Sequence, residues 1–227
     1  MKPEKLLILP PGKSIIDSVI KDEMAQLWAR LITQSEKLDI PWKVLSIISP
    51  SSNEGVTTIC VALARFLVYS HNKSVCIIEA NLRKPVFGKL LPRLQKGPGF
   101  RELLLGKASI EETVRMFDPK GLFILPAGEP HYDTNIPQGD NLKNVINDIK
   151  AMHDVILIDC PPIGLAAESH YLVKESNFVV LVARARKTRL EHITQALKTI
   201  RYLGKPLGGI VLNDVVYALP GALRALF

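Results

Sequence analysis

The sequence predicts a doubly wound α/β protein, with a mainly parallel sheet covered by helices on both faces. Short apolar runs alternate with helical patterns over most of the 227 residues, which is typical of repeated βα units. The apolar runs are continuous rather than interrupted by polar residues, as expected of strands that are buried on both faces. The loop at residues 49–58, between an apolar run and a helical pattern, lies where such folds bind phosphate.

The elements follow in order from a helix at residues 17–38, in which Ile20, Leu27 and Leu31 recur at helical spacing. Pro41 ends this segment. Strands are expected at the apolar runs Val44–Ile48, Val75–Ile78, Leu122–Leu125, Val155–Ile158, Phe178–Ala183 and Gly209–Leu212. Helices are expected at about residues 56–70, 98–105, 109–117, 139–152, 164–174 and 188–203.

Composition and charge narrow the class of protein. With 47% hydrophobic and 22% charged residues, the chain has the composition of a globular domain. No apolar run approaches the ~18 residues that span a bilayer, and the first residues lack the features of a signal peptide. Cys60, Cys76 and Cys160 lie in apolar segments, so we expect buried free thiols and no zinc site. The net charge of +7 is spread along the chain, and its densest cluster, residues 184–189, is expected to be a solvated loop.

The segment Ser49-Pro-Ser-Ser-Asn-Glu-Gly-Val-Thr-Thr58 has the position of a P-loop but lacks its lysine. In a P-loop the second glycine is followed by Lys and then by Ser or Thr. Here Gly55 is followed by Val56 and Thr57. Backbone N–H groups at the start of a helix still favour an anion. The cation that reaches the β- and γ-phosphates is missing.

Two further segments end an apolar strand with a polar tip. They are residues 75–85 and residues 153–162. In an open parallel sheet such tips meet at the carboxyl edge, where ligands bind. Asp159 follows four apolar residues and precedes Cys-Pro-Pro. This is the pattern of a Walker B strand, whose Asp helps to hold a metal ion.

Together the three segments resemble the bacterial tyrosine kinases of capsule and exopolysaccharide synthesis, in the MinD/ParA-like branch of P-loop proteins. Asn53-Glu-Gly-Val-Thr-Thr58 stands where this family has Gly-Glu-Gly-Lys-Ser/Thr-Thr. Glu79-Ala-Asn-Leu-Arg-Lys-Pro85 stands for the family's Asp-Ala-Asp-Leu-Arg-Arg/Lys-Pro, and Asp159-Cys-Pro-Pro162 for its Asp-x-Pro-Pro. Leu212-Asn213 occupies the place of a strand end whose Asn lies near the adenine. The resemblance extends over about residues 17–213.

The resemblance implies a role for each matching residue. It places the nucleotide at Asn53, Glu54, Gly55, Val56, Thr57, Thr58 and Asn213, and magnesium at Thr57 and Asp159. The catalytic positions are Asp159, Glu79 and Asn81, of which Glu79 is one methylene longer than the family's Asp and Asn81 has no carboxylate. Arg83, Lys84 or a side chain of a partner are the open candidates for a replacement cation. We therefore expect ATP or ADP with Mg²⁺ to bind weakly or not at all.

The resemblance also implies a domain order and a function. Residues 1–16 would form an N-terminal arm, residues 17–216 a P-loop kinase-like domain and residues 217–227 an apolar C-terminal tail. The implied function is a cytoplasmic regulator or scaffold of polysaccharide synthesis or export, with weak or no catalysis. Its partner would be the cytoplasmic part of a membrane polysaccharide co-polymerase, which would hold it at the inner face of the membrane. An active tyrosine kinase or ATPase and a MinD/ParA-like positioning protein stay open as alternatives.

Self-assembly and phosphorylation follow less directly from the resemblance. The family carries Glu-x-x-Arg-x-x-Arg on its early helix for ring assembly, whereas Glu23 is followed by Gln26 and Ala29. A homo-oligomer therefore stays open, and nucleic acid is not expected as a partner. Near the end of the chain Tyr217 stands alone, where the family has a cluster of acceptor tyrosines. The tail is expected either to pack on its own domain or to dock on a protein partner.

Overall fold

The computed structural model describes residues 15–91, 94, 97–129 and 140–214. The strands in this part of the chain are β1 Val44–Ile48, β2 Val75–Glu79, β3 Arg115–Asp118, β4 Leu122–Leu125, β5 Val155–Asp159, β6 Phe178–Arg184 and β7 Leu207–Asn213. The helices are α1 Ile15–Leu38, α2 Val56–His71, α3 Phe87–Leu90, α4 Phe100–Leu104, α5 Ile110–Thr113, α6 Asp140–Met152, α7 Glu168–Glu175 and α8 Leu190–Tyr202. All six predicted strands are present.

The strands form one seven-stranded sheet in the order β3-β4-β2-β5-β1-β6-β7. Neighbouring strands are parallel except at the edge, where β3 runs antiparallel to β4. Every residue of β1, β2 and β5 is buried. Such burial requires cover on both faces, which the continuous apolar runs predict. The predicted doubly wound, mainly parallel architecture is confirmed.

Two apolar clusters cover the two faces of the sheet. One contains α1 and α2, with Leu31 and Leu63 among its buried residues. The other contains α4, α6, α7 and α8, with Ile146 and Leu172 among its buried residues. α1 packs closely on the edge strand β7, because a Cβ on Gly208 would lie 2.4 Å from the Leu31 side chain. Glycine at this position lets helix and strand approach each other.

The region around residue 115 differs from the prediction of a helix at 109–117. Helix α5 ends at Thr113, and residues 115–118 form β3 instead. Ser109 and Glu112 form a capping box, which starts the helix as its local sequence predicts. The backbone of β4 then offers hydrogen-bond partners to the following residues. Tertiary pairing therefore shortens the helix to one turn.

The predictions for the two ends of the chain, the cysteines and membrane spans have different outcomes. Helix α1 begins at Ile15, within the range predicted for the N-terminal arm. Residues 1–14, the tail at 217–227 and Tyr217 lie outside the described residues. The three cysteines are free and buried, as predicted. None of the helices that the structure describes is both long and apolar enough to cross a membrane.

Candidate functional site

The loop between β1 and α2 requires glycine at its last position. Gly55 has φ 95° and ψ 25°, and a Cβ there would lie 2.1 Å from Nδ2 of Asn213. Glycine meets both conditions, since it adopts positive φ readily and carries no Cβ. Asn53 also has a positive φ, of 63°. Asparagine adopts this conformation more readily than most residues. The Asn-Glu-Gly sequence thus forms the turn that leads the chain into α2.

The first turn of α2 presents backbone N–H groups to a cavity. The first hydrogen bond of the helix joins Ile59 N to Gly55 O at 3.0 Å. The N–H groups of the first helical residues therefore have no acceptor within the helix. A cavity of about 370 Å³ opens over this turn. The free N–H groups and the helix dipole favour an anion there. The structure brings together every predicted nucleotide contact, because the cavity is lined by Asn53, Glu54, Gly55, Val56, Thr57, Thr58 and Asn213.

The predicted magnesium partners contact each other at the floor of the cavity. Thr57 Oγ1 donates a hydrogen bond of 2.7 Å to Asp159 Oδ2. The strands place them together, because Asp159 ends β5 beside Ile47 of β1, and the loop after β1 leads to Thr57. Burial raises the pKa of Asp159 to about 7, against the opposing effect of the hydrogen bond from Thr57.

A hydroxyl and a carboxylate fit Mg²⁺, which takes oxygen ligands and keeps several waters. The described residues contain no group of three or more His, Cys, Asp or Glu side chains arranged to hold a metal ion. An ion at Thr57 and Asp159 would therefore need waters or phosphate oxygens to complete its coordination. A magnesium site here would depend on a bound phosphate.

Glu79 is turned away from the cavity. Its Oε1 accepts hydrogen bonds from the backbone N–H groups of Val86 and of Phe87, the latter at 2.8 Å, and its Oε2 accepts one from Ala127 N at 3.0 Å. Burial raises the pKa of this carboxyl group, and the three backbone hydrogen bonds act against that rise. The geometry gives Glu79 a structural task, which is to hold two loops against the end of β2. Its predicted catalytic role would require these bonds to break.

Asn81 and the two candidate replacement cations, Lys84 and Arg83, do not all lie at the cavity. Asn81 and Lys84 line the cavity, as does the apolar side chain of Val56. Arg83 does not, and its Nη2 and Nε lie 2.6 and 3.2 Å from Oε1 of Glu168. Of the two cations that the sequence offered from this segment, Lys84 is therefore the one placed at the cavity.

Side chains from β6, β7 and the loop between β6 and α8 hold the β1–α2 loop, residues 49–55, in place. Asn213 Nδ2 donates to the backbone oxygen of Glu54 at 2.9 Å, and Thr188 Oγ1 donates to Oε1 of Glu54 at 2.7 Å. Glu54 is buried, which raises the pKa of its carboxyl group, and its Oε2 has no hydrogen-bond partner. The loop is thus fixed by the protein itself.

Sequence reasoning missed Thr188 and Arg184 as residues of this site. Arg184 lines the cavity and lies at the end of β6. Its cluster was expected to be a solvated loop, an interpretation that holds for the exposed Arg186 and Lys187. Its position in the sequence could have identified Arg184, because it directly follows a continuous apolar run and the ends of parallel strands meet at the carboxyl edge of the sheet.

The parallel sheet and the loop between β1 and α2 have the arrangement of a MinD/ParA-like P-loop fold. The chain is 28% identical over 174 residues to "Tyrosine-protein kinase CpsD" of Streptococcus agalactiae, covering 76% of each chain. It is 27% identical over 173 residues to "Tyrosine-protein kinase ptk" of Acinetobacter johnsonii, covering 76% of this chain and 23% of that relative. The chain thus spans less than a quarter of the second relative. No protein-family model matches it.

Solved structures support the same fold. The VpsO kinase domain is 25% identical, with a TM-score of 0.71, and the match covers 89% of this chain and 100% of that one. The kinase domain of Escherichia coli tyrosine kinase ETK is 17% identical, with a TM-score of 0.76 and coverage of 93% and 85%. MinD of Pyrococcus horikoshii, solved with Mg-ADP, is 21% identical, with a TM-score of 0.65 and coverage of 79% and 74%. The predicted resemblance to bacterial tyrosine kinases with a MinD/ParA-like fold is confirmed.

Proposed function

We propose that this chain is a tyrosine-kinase-like regulator or scaffold in the synthesis or export of an exopolysaccharide or capsule, with weak or no phosphoryl transfer. The observation that supports it is a mismatch within one cavity. The Thr57–Asp159 pair is formed at 2.7 Å, while Val56 and Asn81 line the same cavity where the related kinases have a cation and a carboxylate. A site that keeps its architecture and lacks these groups suits binding better than turnover.

The chemistry of the site follows from its own residues. The N–H groups of the loop and of the first turn of α2 would hold phosphate oxygens, and Thr57 and Asp159 would hold magnesium. The metal ion would supply positive charge to those oxygens. Val56 adds no positive charge to the transferred group, and loss of one such cation changes phosphoryl-transfer rates by ~10³–10⁵-fold. Asn81 accepts no proton from a tyrosine hydroxyl, and the Glu79 carboxylate is engaged by backbone N–H groups.

The proposed partner is the cytoplasmic part of a membrane polysaccharide co-polymerase. The support is the similarity to the tyrosine-protein kinases, together with the resemblance of the three motifs to kinases of capsule and exopolysaccharide synthesis. Such a partner would place the chain in the cytoplasm at the inner face of the membrane. We propose no nucleic acid partner and leave self-association to measurement.

The second candidate is an active kinase or ATPase. The observation in its favour is that Lys84 and Arg184 line the cavity together with the formed Thr57–Asp159 pair. Either cation could compensate for Val56 if it reached the transferred phosphate.

Turnover separates the two candidates. The purified chain is incubated with ATP and Mg²⁺, phosphate release is followed, and mass spectrometry searches for phosphate on Tyr202 and Tyr217. Asp159→Ala is the control, because it removes the magnesium ligand. We expect release at the level of this control and no modified tyrosine. Robust hydrolysis that Asp159→Ala abolishes, or stoichiometric phosphotyrosine, would establish the active kinase instead.

A further inference from the structure

Arg184 is held over the β1–α2 loop by two sets of contacts. Its Nε and Nη2 each lie 2.9 Å from Oδ2 of Asp214. Its Nη1 donates to the backbone oxygen of Asn53 at 3.4 Å. β6 ends at Arg184 and is parallel to β7, which places Arg184 beside Asn213, the residue before Asp214. The guanidinium group is therefore placed by the end of the sheet and does not extend freely into solvent.

The contacts of Arg184 leave part of its hydrogen-bonding capacity unused. A guanidinium group has five N–H donors in a planar fork. Three are used, by Nε and Nη2 toward Asp214 and by Nη1 toward Asn53. The two that remain belong to a side chain that lines the cavity and is 31% exposed. A fixed planar fork of this kind suits the oxygens of a phosphate group.

The other cation at the cavity is less well prepared. Lys84 is exposed, and the structure describes no hydrogen bond or ion pair of its side chain. A flexible lysine loses more conformational freedom on binding than a side chain that is already held in place. Arg83, the remaining candidate from the sequence, is paired with Glu168.

We propose that Arg184 is the cation that contacts the phosphate groups of a ligand in this cavity, in place of the lysine that Val56 replaces, and that Asp214 positions it. The proposal rests on the proposed function only in treating this cavity as a phosphate site. The ligand class is a compound with a diphosphate group. Asp214 offsets part of the positive charge, so Arg184 acts mainly through directed N–H donors. Binding is therefore weaker than at a P-loop with a free lysine.

The test is calorimetric titration of the full chain with Mg²⁺ and either ADP or inorganic pyrophosphate. Arg184→Gln should weaken both ligands by about 10- to 100-fold, the range expected for losing hydrogen bonds from a charged donor. Arg186→Gln is the matched control, because it removes an exposed arginine two residues away. Asp214→Asn should weaken both ligands by a smaller factor, because the loss of the held geometry, through which Arg184 mainly acts, outweighs the gain in net positive charge. Arg184→Lys should recover part of the affinity.

Each outcome decides the proposal. Equal losses for ADP and pyrophosphate in Arg184→Gln, with Arg186→Gln unchanged, support it. A loss for ADP alone would place Arg184 at the ribose or base and overturn it. Unchanged binding in Arg184→Gln, a loss in Lys84→Gln instead, or no binding by the unmodified chain at millimolar pyrophosphate would also overturn it. If Arg184→Gln fails to fold, the other two variants decide. Weaker binding by both Arg184→Lys and Asp214→Asn than by the unmodified chain supports the proposal, and unchanged binding by both overturns it. None of these results depends on turnover, so the regulator proposal is tested separately by phosphate release.

Discussion

Replacing Gly55 with alanine tests how the β1–α2 loop is held. The added Cβ would lie 2.1 Å from Nδ2 of Asn213 while the backbone stays at φ +95°. Placing a residue other than glycine in the left-handed region costs ~1–2 kcal/mol. Displacing Asn213 breaks its 2.9 Å hydrogen bond to Glu54 O, which costs about 0.5–1.5 kcal/mol more. We therefore expect a loss of roughly 2–3 kcal/mol, or about 4–12 °C in Tm for a chain of this size.

Gly106 provides the matched control for this experiment. It also has a positive φ, of +66°, but an added Cβ would meet nothing within 4 Å. Gly106→Ala should therefore show the backbone cost alone, ~1–2 kcal/mol. Urea and thermal unfolding of both variants are compared, with and without Asn213→Ala. In the Asn213→Ala background the two glycine replacements should cost the same, because the clash is gone. If Gly55→Ala costs as much stability in the Asn213→Ala background as in the otherwise unmodified chain, the view that Asn213 and Gly55 lock the loop is refuted.

Three further predictions concern the cavity and the buried titratable groups. Val56→Lys should tighten binding of Mg-ADP by about 10- to 100-fold in calorimetry while hydrolysis stays near background, because Asn81 still lacks a carboxylate; a large gain in turnover would contradict this. Burial raises the pKa of Asp159 to about 7 from 3.8, so its contribution to stability is complete at acid pH and is lost as the pH rises toward 7. The loss in free energy of unfolding is worth at most roughly 4 kcal/mol. Asp159→Asn should remove this loss in urea unfolding measured between about pH 4 and pH 8. The same dependence of stability on pH in Asp159→Asn would refute the assignment to Asp159. Burial lowers the pKa of His153, so its contribution is present above its ordinary value of 6.5 and is lost as the pH falls. His153→Gln keeps a polar partner for Ser74 and should make the free energy of unfolding nearly independent of pH between about pH 7 and pH 5. If this variant still loses stability as the pH falls, His153 is not the group responsible.

The strands and the loop could be predicted because their signals are local. A buried parallel strand needs an apolar side chain at every position, and β5 shows this in Val155–Ile158. The turn at Gly55 needs glycine, and the resemblance of the three motifs to a kinase family added their expected roles. The helix predicted at 109–117 failed because the backbone of β4 pairs with residues 115–118, and this pairing has no local signal.

The amino-acid sequence alone determined the fold class, the position of the glycine-containing loop after β1 and the departures at Val56 and Asn81. Each of these depends on residue type at a known place along the chain. The tertiary structure decided which side chains face the cavity. Glu79 and Asn81 are two residues apart in sequence, but only Asn81 lines the cavity. The carboxylate of Glu79 instead accepts hydrogen bonds from backbone N–H groups of two other segments. Arg184 lies far along the chain from Asn53 and reaches it because β6 pairs directly with β1. Such placements depend on strand order, which no local pattern of residues encodes.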